Sequence, residues 1–242
     1  LETLQEVIEA KRGTVCIFCN SIDSIDSFYR LIPELNNACT FCSEDGQYKL
    51  WKGNRRKKSM MITELERYNF FTSRFYSAVD IICKNPPHVI LISDLHGATQ
   101  SVIDPTTEAI QIIGRFRGGV NTVTHIASIR PDLECMSTNE IDSWIQGASH
   151  IFNGWKTQLA QTSNIGERTL LQEAIGENSY LPYLDANGKP DPFLIANLYE
   201  KEQVKRLYTS TDLLCSVYQQ TDYFIFSHEE RLMPVSDNER MA

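Results

Sequence analysis

The feature that most constrains this chain is the alternation, across residues 1 to 135, of short apolar runs with helical stretches. Thr14 to Cys19, Ala38 to Cys42, Tyr68 to Thr72, Val89 to Ser93 and Thr122 to Ile129 are short and β-prone. Such runs suit strands buried on both faces. Between them, Asp23 to Leu35 reads as a helix with Ile25, Phe28, Leu31 and Ile32 on one side. Asp104 to Arg117 reads as another, with Asp104 as N-cap, Pro105 in the first turn and Gly118-Gly119 as the stop. Strands that alternate with helices pair in parallel and are covered on both faces by those helices. The predicted class is α/β.

The texture changes from about Asn139. Helices are expected at Ile141 to Ala160, Glu167 to Ile175, Asn197 to Tyr208 and Thr211 to Tyr218. A hairpin is expected at Tyr180 to Ile195 around Asn187-Gly188, and a strand at Tyr223 to Phe226. The division is therefore an α/β domain over 1–135 and a smaller, mainly helical α+β accessory domain over 136–242. Leu1, Leu4 and Ile8 recur at helical spacing with no initiator Met, so the chain reads as a fragment of a longer protein.

A chain of 242 residues, 42% hydrophobic, can bury a core without disulfide or metal staples. No apolar run is long enough for a membrane span, and no leader pattern opens the chain, so no membrane partner is expected. An odd count of seven cysteines points to a reducing, cytoplasmic setting. The formal net charge of −8 argues against a protein that coats DNA with its whole surface. One local exception is Lys52-Gly53-Asn54-Arg55-Arg56-Lys57-Lys58, which is either a solvated loop or a phosphate-contacting patch.

Cys16-x-x-Cys19 and Cys39-x-x-Cys42 have the spacing of a zinc site. Both pairs lie in strand-like runs, where residues three apart point to opposite faces. Buried thiols in neighbouring strands are the expectation. A non-catalytic, zinc-dependent interaction module built on Cys16, Cys19, Cys39 and Cys42 is the alternative.

No G-x-x-x-x-G-K-[ST] phosphate loop is present; the lone Gly188-Lys189 pair is followed by Pro190. Val89 to Asp94 has the look of a magnesium-holding strand but, without that loop, reads as a plain strand end. The chain alone is not expected to hydrolyse ATP. A stand-alone nucleotide-binding α/β domain is disfavoured on the same ground, since no Gly-rich turn follows the first strand.

Three segments instead occur in an informative order. Ile17-Phe18-Cys19-Asn20-Ser21 is an apolar strand ending in a polar pair. Thr72-Ser73 is followed, through Ala78-Val79, by Asp80. Gln111-Ile112-Ile113-Gly114-Arg115-Phe116-Arg117 places Gln, Gly and two Arg around a helix end. These segments resemble motifs IV, V and VI of superfamily 2 helicases, and the resemblance spans roughly residues 1 to 135. It implies the second, C-terminal RecA-like motor domain of an ATP-dependent helicase or translocase. ATP and Mg2+ would then be held in the intact enzyme by a first lobe of the same polypeptide.

The resemblance assigns Arg115, Arg117 and Gln111 to catalysis and Gly114 and Asp80 to ATP. It assigns Asn20, Ser21, Thr72 and Ser73 to a DNA or RNA strand, and no metal ligand is implied. As a phosphate-contacting patch, the charge of Arg55, Arg56, Lys57 and Lys58 would serve the same strand. Arginine suits the catalytic role because its planar fork keeps its charge and binds phosphate oxygens in pairs. Helix N-capping is the alternative role for Asn20 and Ser21. Two departures stand out. Ala78 occupies a position where the family commonly has Gly, and Arg117 lies one residue earlier than the usual second arginine. On an unbroken helix Arg115 and Arg117 would project about 200° apart. A helix terminus is therefore expected near Arg117, with Arg115 on the Gln111 face.

Overall fold

The computed structural model of the chain describes residues 1–51, 57–62, 64–77 and 79–231. Two compact units make up the chain. The first is Leu1–Arg130 with the described residues from Ser210 onward, and the second is Pro131–Thr209.

The first unit is an α/β structure around a six-stranded sheet. Its strands are β1 (Val15–Cys19), β2 (Cys39–Phe41), β3 (Lys57–Ser59), β4 (Tyr68–Phe71), β5 (His88–Ser93) and β6 (Thr122–Ala127). They lie in the order β3-β2-β4-β1-β5-β6, and every pairing is parallel. All five residues of β1 and all six of β5 are buried, as continuous apolar runs in a parallel sheet should be.

Alternation along the strands divides the core in two. Val15, Ile17 and Cys19 face one side with Phe70, Ile90 and Ile92. There they meet Leu4 and Ile8 of α1 (Glu2–Glu9), Ile25 and Tyr29 of α2 (Ile22–Leu31) and Leu50 of α3 (Glu44–Trp51). Cys16, Phe18, Phe41, Phe71, Val89 and Leu91 face the other side. That side is covered by Phe75, Tyr76 and Ile81 and by Ala109 and Ile112 of α4 (Glu108–Gly114).

Both helices expected between the strands are shorter than their periodicity suggests. Pro33 pushes Ile32 to an extended conformation, so α2 stops at Leu31 and a 3-10 turn, Pro33–Asn37, takes over. The second begins at Glu108 rather than Asp104. The Asp104 carboxylate accepts from the Thr106 N–H and from the hydroxyls of Thr106 and Thr107, which closes a turn ahead of the helix. The basic run is also not a single loop. Lys57 and Lys58 begin β3, a three-residue edge strand paired to β2. Lys52, Arg55 and Arg56 lie outside the described residues, as does Ala78.

The second unit is helical: α5 (Thr138–Gln161), α6 (Ile165–Gly176) and α7 (Pro192–Leu207). Each start is chemically marked: a Ser137/Glu140 capping box, Asn164, and Asp191 ahead of Pro192. Ile141, Phe152, Tyr180, Leu198 and Tyr208 are buried in it. The hairpin expected around Asn187-Gly188 reduces to one isolated pairing, Leu184 with Pro190, closed by an Asp185 turn. Pro190 and Pro192, with Asp191 as helix cap, leave no room for a longer ladder.

The C-terminal stretch read from sequence as accessory belongs instead with the first unit, and the division falls at Pro131 rather than 135. There α8 (Thr211–Gln220) supplies Tyr218, whose hydroxyl lies 2.7 Å from Nδ1 of His125 in β6. Residues 223–226 form no strand; Phe224 and Phe226 pack their rings against Tyr218 instead.

Candidate functional site

In open parallel sheets, ligands gather where neighbouring strands send their connections to opposite faces, at the carboxyl ends. Here β1 leads to α2 on one face, while its neighbours β4 and β5 lead to segments on the other. The carboxyl end of β1 is thus the switch point, and Asn20 and Ser21 occupy it.

Asn20 ties the three strand ends together. Its Oδ1 accepts from the Ser73 N–H at 3.3 Å, and its Nδ2 donates to the Gln100 carbonyl at 3.2 Å. Two segments chosen from sequence as separate motifs therefore touch. Ser21 has the capping role: buried, it accepts from the Ser24 N–H and hydroxyl at the start of α2. Thr72 is also buried, and both its N–H and its hydroxyl donate to the Phe41 carbonyl at the end of β2. Ser73 is exposed, as is Arg74 next to it on a 3-10 turn, Ser73–Phe75. Arg74 was not singled out from sequence, although a cation directly after Thr-Ser in an acidic chain was the available signal.

Beyond β5, Asp94 folds its own loop. Its Oδ1 accepts from the N–H groups of His96 and Gly97, and its backbone N–H donates to the Ser101 hydroxyl. This is a strand-end turn, as its sequence suggested. Its charge, together with burial, helps push the neighbouring Cys19 thiol up to about 12, burial being the larger cause.

A second cluster forms where the Thr72–Asp80 segment meets the end of α4. Ile81 pairs with Phe116 as an isolated parallel bridge, and its N–H donates to the Arg115 carbonyl at 2.8 Å. Beside this joint Arg117 makes an ion pair with Asp80, at 2.9 Å with both side chains largely exposed. The helix ends at Gly114, three residues before Arg117, and Arg115 is its C-cap. Arg115 keeps helical backbone angles and its Nε donates to the Gln111 carbonyl, so the two share a face. Arg117 is free of the helix, and the 200° conflict disappears. Gly114 has no heavy atom within 4 Å of where a Cβ would stand, so neighbouring groups do not demand a glycine there. Of the glycines that end this segment, Gly114, Gly118 and Gly119, it is Gly119, at φ +77°, that backbone geometry holds.

One aromatic layer carries both clusters. Phe18 of β1 stacks on Phe71 at 4.9 Å, with Tyr76 at 5.8 Å and Phe116 edge-on at 6.1 Å. Phe71 in turn stacks on Phe41 and meets Phe75 edge-on. Interlocked rings hold geometry firmly because a shift in one must displace the others.

The zinc arrangement finds no support in this geometry. Cys16 and Cys39 belong to one face of the sheet and Cys19 and Cys42 to the other, and β4 separates β1 from β2, which are therefore not neighbours. Among the described residues, no three of His, Cys, Asp and Glu are grouped to hold a metal. Two cavities, of about 330 and 430 Å³, share Glu66 and Arg67; the first is also lined by Arg12 and Thr14 and the second by Glu34 and Tyr68, and neither is lined by Asn20. No described helix is long and apolar enough to cross a membrane. No family model matches the chain, and no curated protein matches it.

Proposed function

We propose that this chain is the second, RecA-like motor lobe of an ATP-driven superfamily 2 helicase or translocase, and that residues 72–81 couple its two binding sites. The observation that carries the reading is the joint between the two resembling segments: Asp80 paired with Arg117, and the Ile81 N–H bonded to the Arg115 carbonyl. The Asn20–Ser73 bond supports it from the other end of the same segment.

On this reading Ser73, Arg74 and Asn20 present polar groups to the backbone of a DNA or RNA strand at the carboxyl ends of β1 and β4. The Lys52–Lys58 run adds positive charge for the same strand. ATP, with Mg2+ on a first lobe of the same polypeptide, supplies the phosphoanhydride whose cleavage drives movement. Arg115, steadied by Gln111, brings charge to the phosphates, and Gly114 leaves the approach open. Arg117 reaches the nucleotide only by leaving Asp80. Phosphate and Asp80 then compete for one guanidinium, and the backbone of residues 79–81 registers which has won. The pair is solvent-exposed and worth at most about 1 kcal/mol, so exchanging it is easy. The second unit stands as an accessory domain.

In the intact polypeptide, Arg115→Ala lowers ATP turnover by about a thousand-fold while the circular dichroism melt is preserved. Normal hydrolysis by that variant would remove the basis for the motor reading.

A further inference from the structure

The loops that lead into β1 and β4 frame a cavity of about 330 Å³. Arg12, Gly13 and Thr14 line it from the loop before β1, and Leu65, Glu66 and Arg67 from the loop before β4. Buried polar side chains hold both loops in place. Asn69, fully buried in β4, accepts from the Glu66 N–H at 2.9 Å and donates to the Glu66 and Val15 carbonyls at 2.7 and 3.4 Å. His88, buried at the start of β5, donates its N–H to the Thr14 carbonyl at 2.9 Å, and its Nε2 lies 3.1 Å from the Arg12 carbonyl. The Val15 N–H donates to the Arg67 carbonyl at 2.7 Å and ties one loop to the other. Buried amide and imidazole groups are costly unless bonded, and here their bonds fix the backbone beneath two arginines.

Arg12 and Arg67 are both exposed, and neither makes an ion pair among the described residues. Arg67 lies over the Tyr68 ring, 5.1 Å from its centroid, a contact on the guanidinium face that leaves the N–H edge available. At Gly13 no heavy atom lies within 4 Å of where a Cβ would stand, so a ligand can approach the backbone there. The chain carries 31 Asp and Glu against 23 Lys and Arg, yet these two guanidiniums share a cavity without an ion pair. Their charge is open to an anion from outside.

We propose that this cavity binds a sugar monophosphate, with Arg12 and Arg67 on the phosphate oxygens and Glu66 on the sugar hydroxyls. Guanidinium forks match phosphate oxygens in pairs, and a carboxylate accepts from neighbouring hydroxyls. The volume is at the lower end for ligand pockets and suits one phosphate with one sugar. The ground beyond Arg67 limits the phosphate to one. The second cavity shares Glu66 and Arg67 and adds Glu9 and Glu34, whose carboxylates repel a further phosphate. Asn20 and Ser73 follow the carboxyl ends of the same two strands, so the length of β1, roughly 16 Å, separates them from this cavity. The proposal stands whether or not the motor reading does.

The test is an amide-resolved NMR titration of the isotope-labelled 242-residue chain with ribose 5-phosphate, inorganic phosphate and pyrophosphate, at neutral pH and constant ionic strength. The Gly13 amide should shift saturably with ribose 5-phosphate, and with inorganic phosphate at higher concentration. Arg12→Gln and Arg67→Gln should each weaken both ligands by about tenfold or more, the scale of one charge-assisted hydrogen bond. Their melting temperatures should match the wild type, since both positions are exposed. Glu66→Gln should separate the ligands: inorganic phosphate binds more tightly because a like charge is gone, whereas the sugar phosphate loses its advantage. A Gly13 shift that never saturates, arginine variants that bind as the wild type does, or a Glu66→Gln change that moves both ligands alike would each overturn the assignment. Pyrophosphate binding more tightly than ribose 5-phosphate would do the same.

Discussion

Gly97 and Asn20 set the shape of the strand ends residue by residue. A Cβ at Gly97 would stand 2.7 Å from Oδ2 of Asp94, the carboxylate that folds the loop leading to Gln100. Gly97→Ala must therefore displace either that carboxylate or the loop. We expect a loss of about 1–3 kcal/mol, the usual cost of overpacking, seen as a lower urea midpoint. An unchanged midpoint would mean that the loop relaxes freely. Asn20 could be picked out from sequence as a polar residue closing an apolar strand. Its partners could not: Gln100 is 80 residues away, and only the sheet order brings the two strand ends together. Ser21 had two readings in the sequence, and the structure gives it the local one, a helix cap.

At the scale of elements, β1 and the aromatic layer on it support everything near the candidate site. Phe18 touches Phe71, Tyr76 and Phe116, which belong to β4, to the segment after it and to the turn that follows α4. Phe18→Ala should cost about 3–5 kcal/mol, the range for a buried phenylalanine, measured by chemical unfolding. Phe18→Leu should recover much of that loss. If the alanine variant unfolds at the wild-type midpoint, the rings do not act as a support. The strands were legible because long apolar runs have few other places to go. Helix ends were less so, since a side-chain turn at Asp104 and the proline at 33 override periodicity through contacts only a few atoms wide. β3 was missed because its lysines look like loop, and a three-residue edge strand is defined by its partner β2 rather than by its own residues.

Across the first unit, His125 links distant parts of the chain. Its Nε2 lies 3.0 Å from the Ser93 hydroxyl at the end of β5, and its Nδ1 pairs with Tyr218 of α8. Burial lowers its pKa from the ordinary 6.5 to about 4. Within that window the unfolded chain takes up the proton more readily than the folded one. The contribution of His125 is therefore complete above about 6.5 and lost as the pH falls toward 4. The melting temperature of the wild-type chain should fall with pH across this range. His125→Asn should be less stable at neutral pH, and its deficit should shrink as the pH approaches 4. A deficit that stays constant would show that His125 does not titrate with folding.

The sequence by itself determined the α/β class of the first unit, five of its six strands, and the polar and charged residues that close them. Those features rest on burial of local runs and on side chains acting on their own backbone, and each can be read within about ten residues. Tertiary structure alone decided the strand order, and with it the placement of β4 between β1 and β2 and of the four cysteines on two faces. It also decided that Asp80 meets Arg117, that Asn20 reaches Ser73, and that the last helix returns to the first unit through Tyr218. These contacts join residues 37 to 93 positions apart. A single sequence carries no local signal for such separations, because the energy that selects them is shared by the whole sheet.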